Sequence, residues 1–385
     1  MIYLLLRLKR FCGFITGFVF FISGILKLMD PVGASLVMKE YFHFLHIEFL
    51  TPTAMASGIA FAFAETIIGA GLITGVWRRI MAPTAIGFQG FFTILTLLLV
   101  IFKPEMDCGC FGEAIHLTHN ETFLKNIILL ILLLIYYIPS RHLGESRKKK
   151  YVSFAIVSVS VVAFTAYSLV YLPLNDYTDY HAGVSLRNEA TNESYQAMFV
   201  YEKEGLQERF SIDNLPDSTW TFVSTETVKT GNSDETAVTL SFHDGSGRYA
   251  DSLALEGKVL IFSIYDPELK TKDLEKIATA INEAEEAGFK AILLSSTPID
   301  IPENITNHYI ADYKTLITLN RSNGGATYIN NGIIISKWSK KSLPAPKELA
   351  KIYDEDVTET IIDNSRSSLA FQGFLLYVSA VMLLL

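Results

Sequence analysis

The sequence predicts an all-α helical bundle embedded in a membrane, a four-helix core with extra spans, joined to an α/β domain outside it. Three observations carry that expectation. Half of the 385 residues are hydrophobic and the mean hydropathy is +0.30. Apolar runs long enough to cross a hydrocarbon core, which takes about 20 residues, fill positions 1 to 172 and return at the end of the chain. The stretch between them is polar, of ordinary domain length, and alternates strand and helix patterns. The lipid bilayer is therefore the first expected partner. A net charge of −8, with no basic patch and no repeats, points away from nucleic acid.

The first run, Phe11 to Met29, follows Arg7, Lys9 and Arg10. No small-x-small cleavage site follows it and Asp30-Pro31 ends a helix there, so it reads as a span and not a signal peptide. Residues 31 to 50 mix apolar residues with Lys39, Glu40, His43, His46 and Glu48, the pattern of a helix lying along the bilayer surface. Three spans are expected at about Thr53 to Val76, Ile80 to Phe102 and Phe123 to Ile138. A fifth is expected at about Val152 to Leu172, and a short C-terminal anchor at Leu369 to Leu385. Gly13 with Gly17, and Gly71 with Gly75, are small-xxx-small pairs that let helices approach closely. The domain division is then 1–140 for the four-span bundle, 141–173 for a basic loop and fifth span, 174–366 for the outer domain, and 367–385 for the anchor.

Charge sets the expected orientation, because Lys and Arg beside spans are retained in the cytoplasm. Arg7, Lys9 and Arg10, then Arg78 and Arg79, then Arg141 with Arg147 to Lys150, all fall on one side. Loops 30–51 and 103–122 hold only Lys39 and Lys103 and should face outward. The expectation is a multi-pass protein of the cytoplasmic (inner) membrane with its large domain extracytoplasmic, in the periplasm.

The outward loop between the third and fourth spans holds Asp107-Cys108-Gly109-Cys110-Phe111-Gly112, with two of the chain's three cysteines. A disulfide needs Cα atoms within roughly 7 Å, and residues two apart reach this only if the backbone bends, which Gly109 permits. The resulting ring is strained and easily reduced, a labile oxidant. The competing reading is a tight turn with two idle thiols. Placement in a compartment where disulfides persist favours the first. Cys12, near the cytoplasmic end of the first span, reads as a small packing residue.

Two charged residues lie within spans. Glu65 is expected to face a partner, with Gln89, Thr93 or Thr66 as candidates, and is either a proton relay or a helix-locking hydrogen bond. Lys27 lies at about the depth of the cysteine loop, where an ammonium stabilises a thiolate, with snorkelling to the interface as the alternative. Cys108, Cys110, His116 and His119 also form C-x-C-x5-H-x2-H, a weaker alternative that would give a tetrahedral metal site.

Arg10-x6-Gly17-x6-Gly24-x2-Lys27-x2-Asp30-Pro31, then Glu65-x3-Gly69-x-Gly71-x3-Gly75, and the DCGCFG loop resemble the DoxX-like membrane proteins and among them the MauE branch. The resemblance covers about residues 1 to 140. It implies a four-helix membrane bundle and, for MauE, a part in forming disulfides in the small subunit of methylamine dehydrogenase, hence in methylamine metabolism. The fifth span and the outer domain lie beyond it.

The outer domain reads as βαβαββα. Val259 to Tyr265 and Lys290 to Ser296 are strands, Lys272 to Ala287 an amphipathic helix ended by Gly288, and Tyr313 to Asn320 a short helix. Thr327 to Trp338 is a hairpin across Asn330-Asn331-Gly332, and Pro346 to Tyr353 the last helix. This resembles a thioredoxin-like core at about 239–353, with extra strands between about Tyr195 and Phe242 and a linker from Asn175 to Ser194. Where a thioredoxin carries Cys-x-x-Cys, this chain has Tyr265-Asp266-Pro267-Glu268, so the domain itself exchanges no thiols. Four Asn-x-Ser/Thr triplets, at Asn120, Asn192, Asn304 and Asn320, are assigned no function.

The functional expectation is a thiol-disulfide oxidoreductase component. Cys108 and Cys110 carry the exchange, Glu65 relays protons, Lys27 stabilises a thiolate, and a membrane quinone is the candidate electron acceptor. The outer domain holds an extracytoplasmic partner or client. Cys110→Ala is then expected to trap that client through Cys108. The alternatives are a scaffold indifferent to its cysteines, and a small-molecule carrier that depends on a Glu65 cavity.

Overall fold

The computed structural model describes residues 2–137, 147–188, 193–203, 206–210, 215–217, 219–230, 238–302, 305–355 and 357–384. Ile138, Arg141, Asn192, Asn304 and Leu385 lie outside them. The chain divides into two units, Met1–Leu169 with Ala370–Leu385, and Val170–Leu369.

In the first unit, α1 (Ile2–Met29), α3 (Ala54–Thr74), α4 (Arg78–Phe102), α5 (His119–Tyr137) and α6 (Lys148–Ser168) supply five helices long and apolar enough to cross a membrane, as a multi-pass membrane protein requires. Their contact is built on missing side chains. Gly17 and Gly69 meet across α1 and α3, where a Cβ on Gly69 would strike the backbone of Phe21 and Gly17, and Gly24 lies against Thr66 and the Ala62 carbonyl. Close backbone approach lets dispersion act without a hydrophobic driving force between helices. Gly13 packs on the Tyr136 ring of α5, whereas Gly75 ends α3 at φ 72°.

Several boundaries differ from expectation. The surface helix is two pieces: α2 (Pro31–Phe44), capped by Asp30 accepting from the Gly33 amide, and a 3-10 turn at Glu48–Thr53. One face of α2 is buried, with Ala34 against Gly58 of α3, so it belongs to the bundle as well as to its surface. The fifth span starts at Lys148 and ends at Ser168, four residues before the expected limits, because its basic N-terminus is helical. The last helix, α10 (Val357–Leu384), starts well before Leu369; its apolar part is Leu369–Leu383. It packs antiparallel to α6. Lys150 and Ser153 donate to the Met382 and Val381 carbonyls at one end (2.9 and 2.7 Å), and Phe164 stacks on Phe374 and Phe371 toward the other.

The second unit is built on two sheets. The first runs β12-β11-β8-β9-β10-β7, from β7 (Phe242–His243), β8 (Lys258–Ile264), β9 (Lys290–Ser295), β10 (His308–Ala311), β11 (Gly325–Asn330) and β12 (Ile333–Trp338). Strands β8, β9 and β10 are parallel, while β11, β12 and β7 pair antiparallel with their neighbours. Strand β8 is buried on both faces: Leu260, Phe262 and Ile264 pack with Ile277 and Ile281 of α7 (Thr271–Glu286), and Val259 and Ile261 with Leu316 of α8 (Tyr313–Leu319). The β11–β12 hairpin turns on Asn331 (φ 46°) and Gly332 (φ 78°), the two positive angles such a turn needs. Expectation missed β10. A final helix, α9 (Pro346–Asp354), follows the hairpin.

The second sheet orders as β4-β3-β2-β6, with β5 on β3, from β2 (Leu186–Asn188), β3 (Glu193–Lys203), β4 (Leu206–Phe210), β5 (Thr221–Thr230) and β6 (Val238–Thr239). The linker expected from Asn175 to Ser194 is not one. Asp176 pairs with Lys337 at 2.7 Å, the buried Tyr180 donates to the Thr239 carbonyl, Leu186 is fully buried, and β2 and the start of β3 are strands. Against the cost of burial, the Lys337 ammonium holds the Asp176 carboxyl below its ordinary value.

Candidate functional site

The DCGCFG stretch forms a pinned turn. Gly109 (φ 59°) and Gly112 (φ 61°) supply left-handed backbone, and a Cβ on Gly109 would collide with Val37 of α2. Both cysteine carbonyls are held from neighbouring helices: the Tyr41 hydroxyl of α2 donates to Cys108 O at 2.9 Å, and Ser23 of α1 donates to Cys110 O. Residues 110–113 then form a short strand, β1 (Cys110–Glu113). Cys108 is buried and Cys110 half-buried, and both are free thiols.

The turn lines a cavity of about 450 Å³ within the first unit. Phe61, Phe88, Phe91 and Phe92 form an aromatic wall, with Phe88 and Phe92 centroids 4.9 Å apart. Polar groups are few. Glu65 does not pair with Gln89, Thr93 or Thr66 as expected; its Oε2 takes the Lys27 ammonium at 2.7 Å, both side chains being largely buried. Gln89 donates to the Asn126 carbonyl, and Thr66 and Thr93 bond carbonyls on their own helices. Charges within hydrocarbon pair with one another, and the α1–α3 glycine contact puts these two side by side. Lys27 lines the cavity as Cys108 does, but its nearest anion is Glu65 and not a sulfur.

A different pair of residues stands beside Cys108. Burial pushes its thiol up. The Thr122 hydroxyl on the first turn of α5, close enough to the sulfur to favour its charged form, acts in the opposite sense, Cys110 and Asp107 add to the rise, and the Lys125 ammonium lowers it. Lys125 Nζ lies 4.7 Å from the Phe111 ring centroid. Sequence reasoning missed Tyr41, Ser23, Thr122 and Lys125. For the last two a signal existed, a hydroxyl and a cation at i, i+3 directly after the cysteine loop.

The alternative metal set is not assembled. His116 faces Asp107 at 3.3 Å, His119 bonds the Met106 carbonyl at 3.0 Å, and among the described residues no three His, Cys, Asp or Glu side chains come together.

Residues 4–139 match the family model of Methylamine utilisation protein MauE. The membrane part is MauE-like. Every residue that lines the cavity falls within that match, whereas α6 and α10 fall outside it. Residues 195–230, which include most of β3 and β5, match a Domain of unknown function (DUF8463). Searches of curated proteins and of solved structures found no match to the chain.

Proposed function

We propose that the protein is a membrane thiol-disulfide exchange component in which Cys108 and Cys110 cycle between dithiol and disulfide on the extracytoplasmic side. The observation that carries this is the joint placement of the two thiols on a bent, pinned turn that lines an apolar cavity containing one ion pair. In the forward direction a client dithiol loses two electrons and two protons to the Cys108–Cys110 disulfide. The resulting dithiol gives them to an acceptor. A lipid-soluble quinone would suit the apolar, aromatic-walled cavity as that acceptor and would take up the two electrons and two protons, with Glu65 and Lys27 as the groups proposed to pass the protons. The basic residues Arg78, Arg79 and Arg147 to Lys150 beside the spans support the outward orientation of the loop.

The order β12-β11-β8-β9, with β8 parallel to β9 and β11 antiparallel to β8, supports the thioredoxin-like reading of the outer domain. At the position of a redox motif the chain has Tyr265-Asp266-Pro267-Glu268, whose first two amides donate to the Asn323 carboxamide oxygen; with no cysteine there, the part proposed for the domain is to hold a client and not to oxidise it. The client class proposed is a protein dithiol, broader than the methylamine utilisation that the family description names.

Thiol trapping of Cys108 and Cys110 in intact membranes tests the proposal. A mixture of reduced and oxidised loop that shifts with added quinone is expected; a loop reduced under every condition removes the redox reading and leaves a scaffold. The cavity with its ion pair also supports a small-molecule carrier. That reading is distinguished by activity that survives Cys108→Ser and is lost in Glu65→Gln.

A further inference from the structure

We infer that Cys108 is the internal member of the pair, the leaving sulfur when a client attacks, and that Thr122 and Lys125 of α5 are the groups that receive its negative charge. This rests on the exchange function proposed above. Three observations independent of that function lead to it.

Exposure comes first. Cys108 is 5% exposed and Cys110 lies nearer solvent, so an incoming protein sulfur meets Cys110. This reverses the expectation that a client is trapped through Cys108. The second observation is an orphan hydroxyl. Thr16, Thr66, Thr74 and Thr96, buried in the spans, each donate to the carbonyl four residues back. Thr122 is fully buried and does not: the Thr118 carbonyl takes only its amide, and Thr122 Oγ1 makes no well-formed hydrogen bond in the resting protein. An unpaired buried donor is costly. The cost is relieved when the sulfur beside it, that of Cys108, becomes a thiolate. The third is Lys125, on the same helix, lining the same cavity as both cysteines.

The chemistry balances. A client thiolate bonds to Cys110 Sγ, the Cys108–Cys110 bond breaks, and Cys108 departs with the electron pair as a thiolate. The second client thiolate then attacks the client sulfur of the mixed disulfide and releases Cys110. The client is oxidised, the pair is reduced, and the two client protons end on the two cysteines. Exchange is faster when the leaving thiol has the lower pKa, so the hydroxyl and the ammonium act on the rate of the first step. The other charged and titratable groups around the sulfur are Asp107 and Cys110 in the loop, Tyr41 and Glu40 on α2, His119 on α5, and the Lys27–Glu65 pair of α1 and α3.

The test uses full-length protein in lipid nanodiscs, with Cys12→Ser and Cys110→Ser leaving Cys108 as the only thiol. Its reaction with methyl methanethiosulfonate is followed by intact mass from pH 6 to 10. Thr122→Val should slow modification near pH 7.5 by about tenfold and move the profile to higher pH, as should Lys125→Met, because a thiolate reacts in proportion to its population. Thr122→Ser and Lys125→Arg should restore the wild-type profile, which a packing role for either residue would not require. In the protein otherwise keeping its native cysteines, Cys108→Ala should capture a peptide carrying the client's disulfide, Cys110 bonding to one client sulfur while the other leaves as a thiol, and Cys110→Ala should not. Unchanged profiles in Thr122→Val and Lys125→Met, or capture only through Cys108, overturn the assignment. If the profiles move as expected while the loop stays reduced in membranes, the exchange function fails and the thiolate site stands.

Discussion

Lys27 and Glu65 are the residues on which the bundle's electrostatics turn. Removing one partner of a buried ion pair leaves a stranded charge and costs about 3–5 kcal/mol, whereas replacing both with apolar residues is often neutral. Glu65→Gln and Lys27→Met should each lower the unfolding temperature of the purified protein, and the double variant Lys27→Met/Glu65→Leu should recover most of the loss. The double variant also separates structure from proton transfer: it should fold yet reoxidise the Cys108/Cys110 pair more slowly than wild type. Normal reoxidation would make the pair purely structural. Both charges were legible in the sequence as intramembrane anomalies. Their pairing was not, because it depends on the register at which α1 and α3 touch, and the sequence alone left Glu65 with polar neighbours on its own helix and on α4. Gly109 was legible for its role. Gly109→Ala combines a left-handed penalty of about 1–2 kcal/mol with the Val37 collision, so Val37→Ala should rescue only part of its lost stability.

Among elements, those with a strong internal pattern were read correctly and those defined by their neighbours were not. Strands β8 and β9 announce themselves as unbroken apolar runs, and α7 by its amphipathic spacing. Strand β10 is four residues, His308–Ala311, with no period to detect; it exists because β9 and β7 offer it hydrogen bonds on both sides. Segment 176–188 looked like a linker because polar residues dominate it, yet Tyr180 and Leu186 bury themselves and Asp176 ties it to β12 through Lys337. Lys337→Met should raise hydrogen exchange across 176–188 while leaving β8 protected. The pH dependence has a definite sign. The folded pKa of Asp176 is lowered, so its stabilising contribution is present above the ordinary carboxylate range and is lost as pH falls through the lowered value. Corrected for the intrinsic rate, which itself falls with pH, protection in this segment should therefore weaken on acidification in the wild type, and should weaken less in Lys337→Met.

For the whole molecule, the division into a membrane part and a polar part was written in hydropathy and needed no structure. The return of the chain was less plain. Helices α6 and α10 are antiparallel neighbours joined by Lys150, Ser153 and the Phe164 stack, so the chain from the end of α6 to the start of α10 is an insertion between two paired helices and not an appended tail. In a background with the three native cysteines replaced, Ser153→Cys with Val381→Cys should be joined by a short bismaleimide, and Ser153→Cys with Leu369→Cys should not. Ending the chain at residue 369 should expose the Phe164 face of α6 and lower the yield of monodisperse protein.

The two bonds to the Cys108 and Cys110 carbonyls have a kinetic meaning. A turn fastened from α2 at Cys108 and from α1 at Cys110 cannot swing out as a reactive arm does; the sulfurs stay where they are, and any searching falls to a visitor. Under the exchange function proposed above, reach would then be a property of the client. A cysteine near the free end of an unstructured peptide should react with the oxidised loop much faster than the same cysteine set in a stable helix, even when both have equal reactivity toward a small disulfide. Stopped-flow mixing of such a matched pair would measure it, and equal rates would mean that the loop leaves its moorings to meet its client.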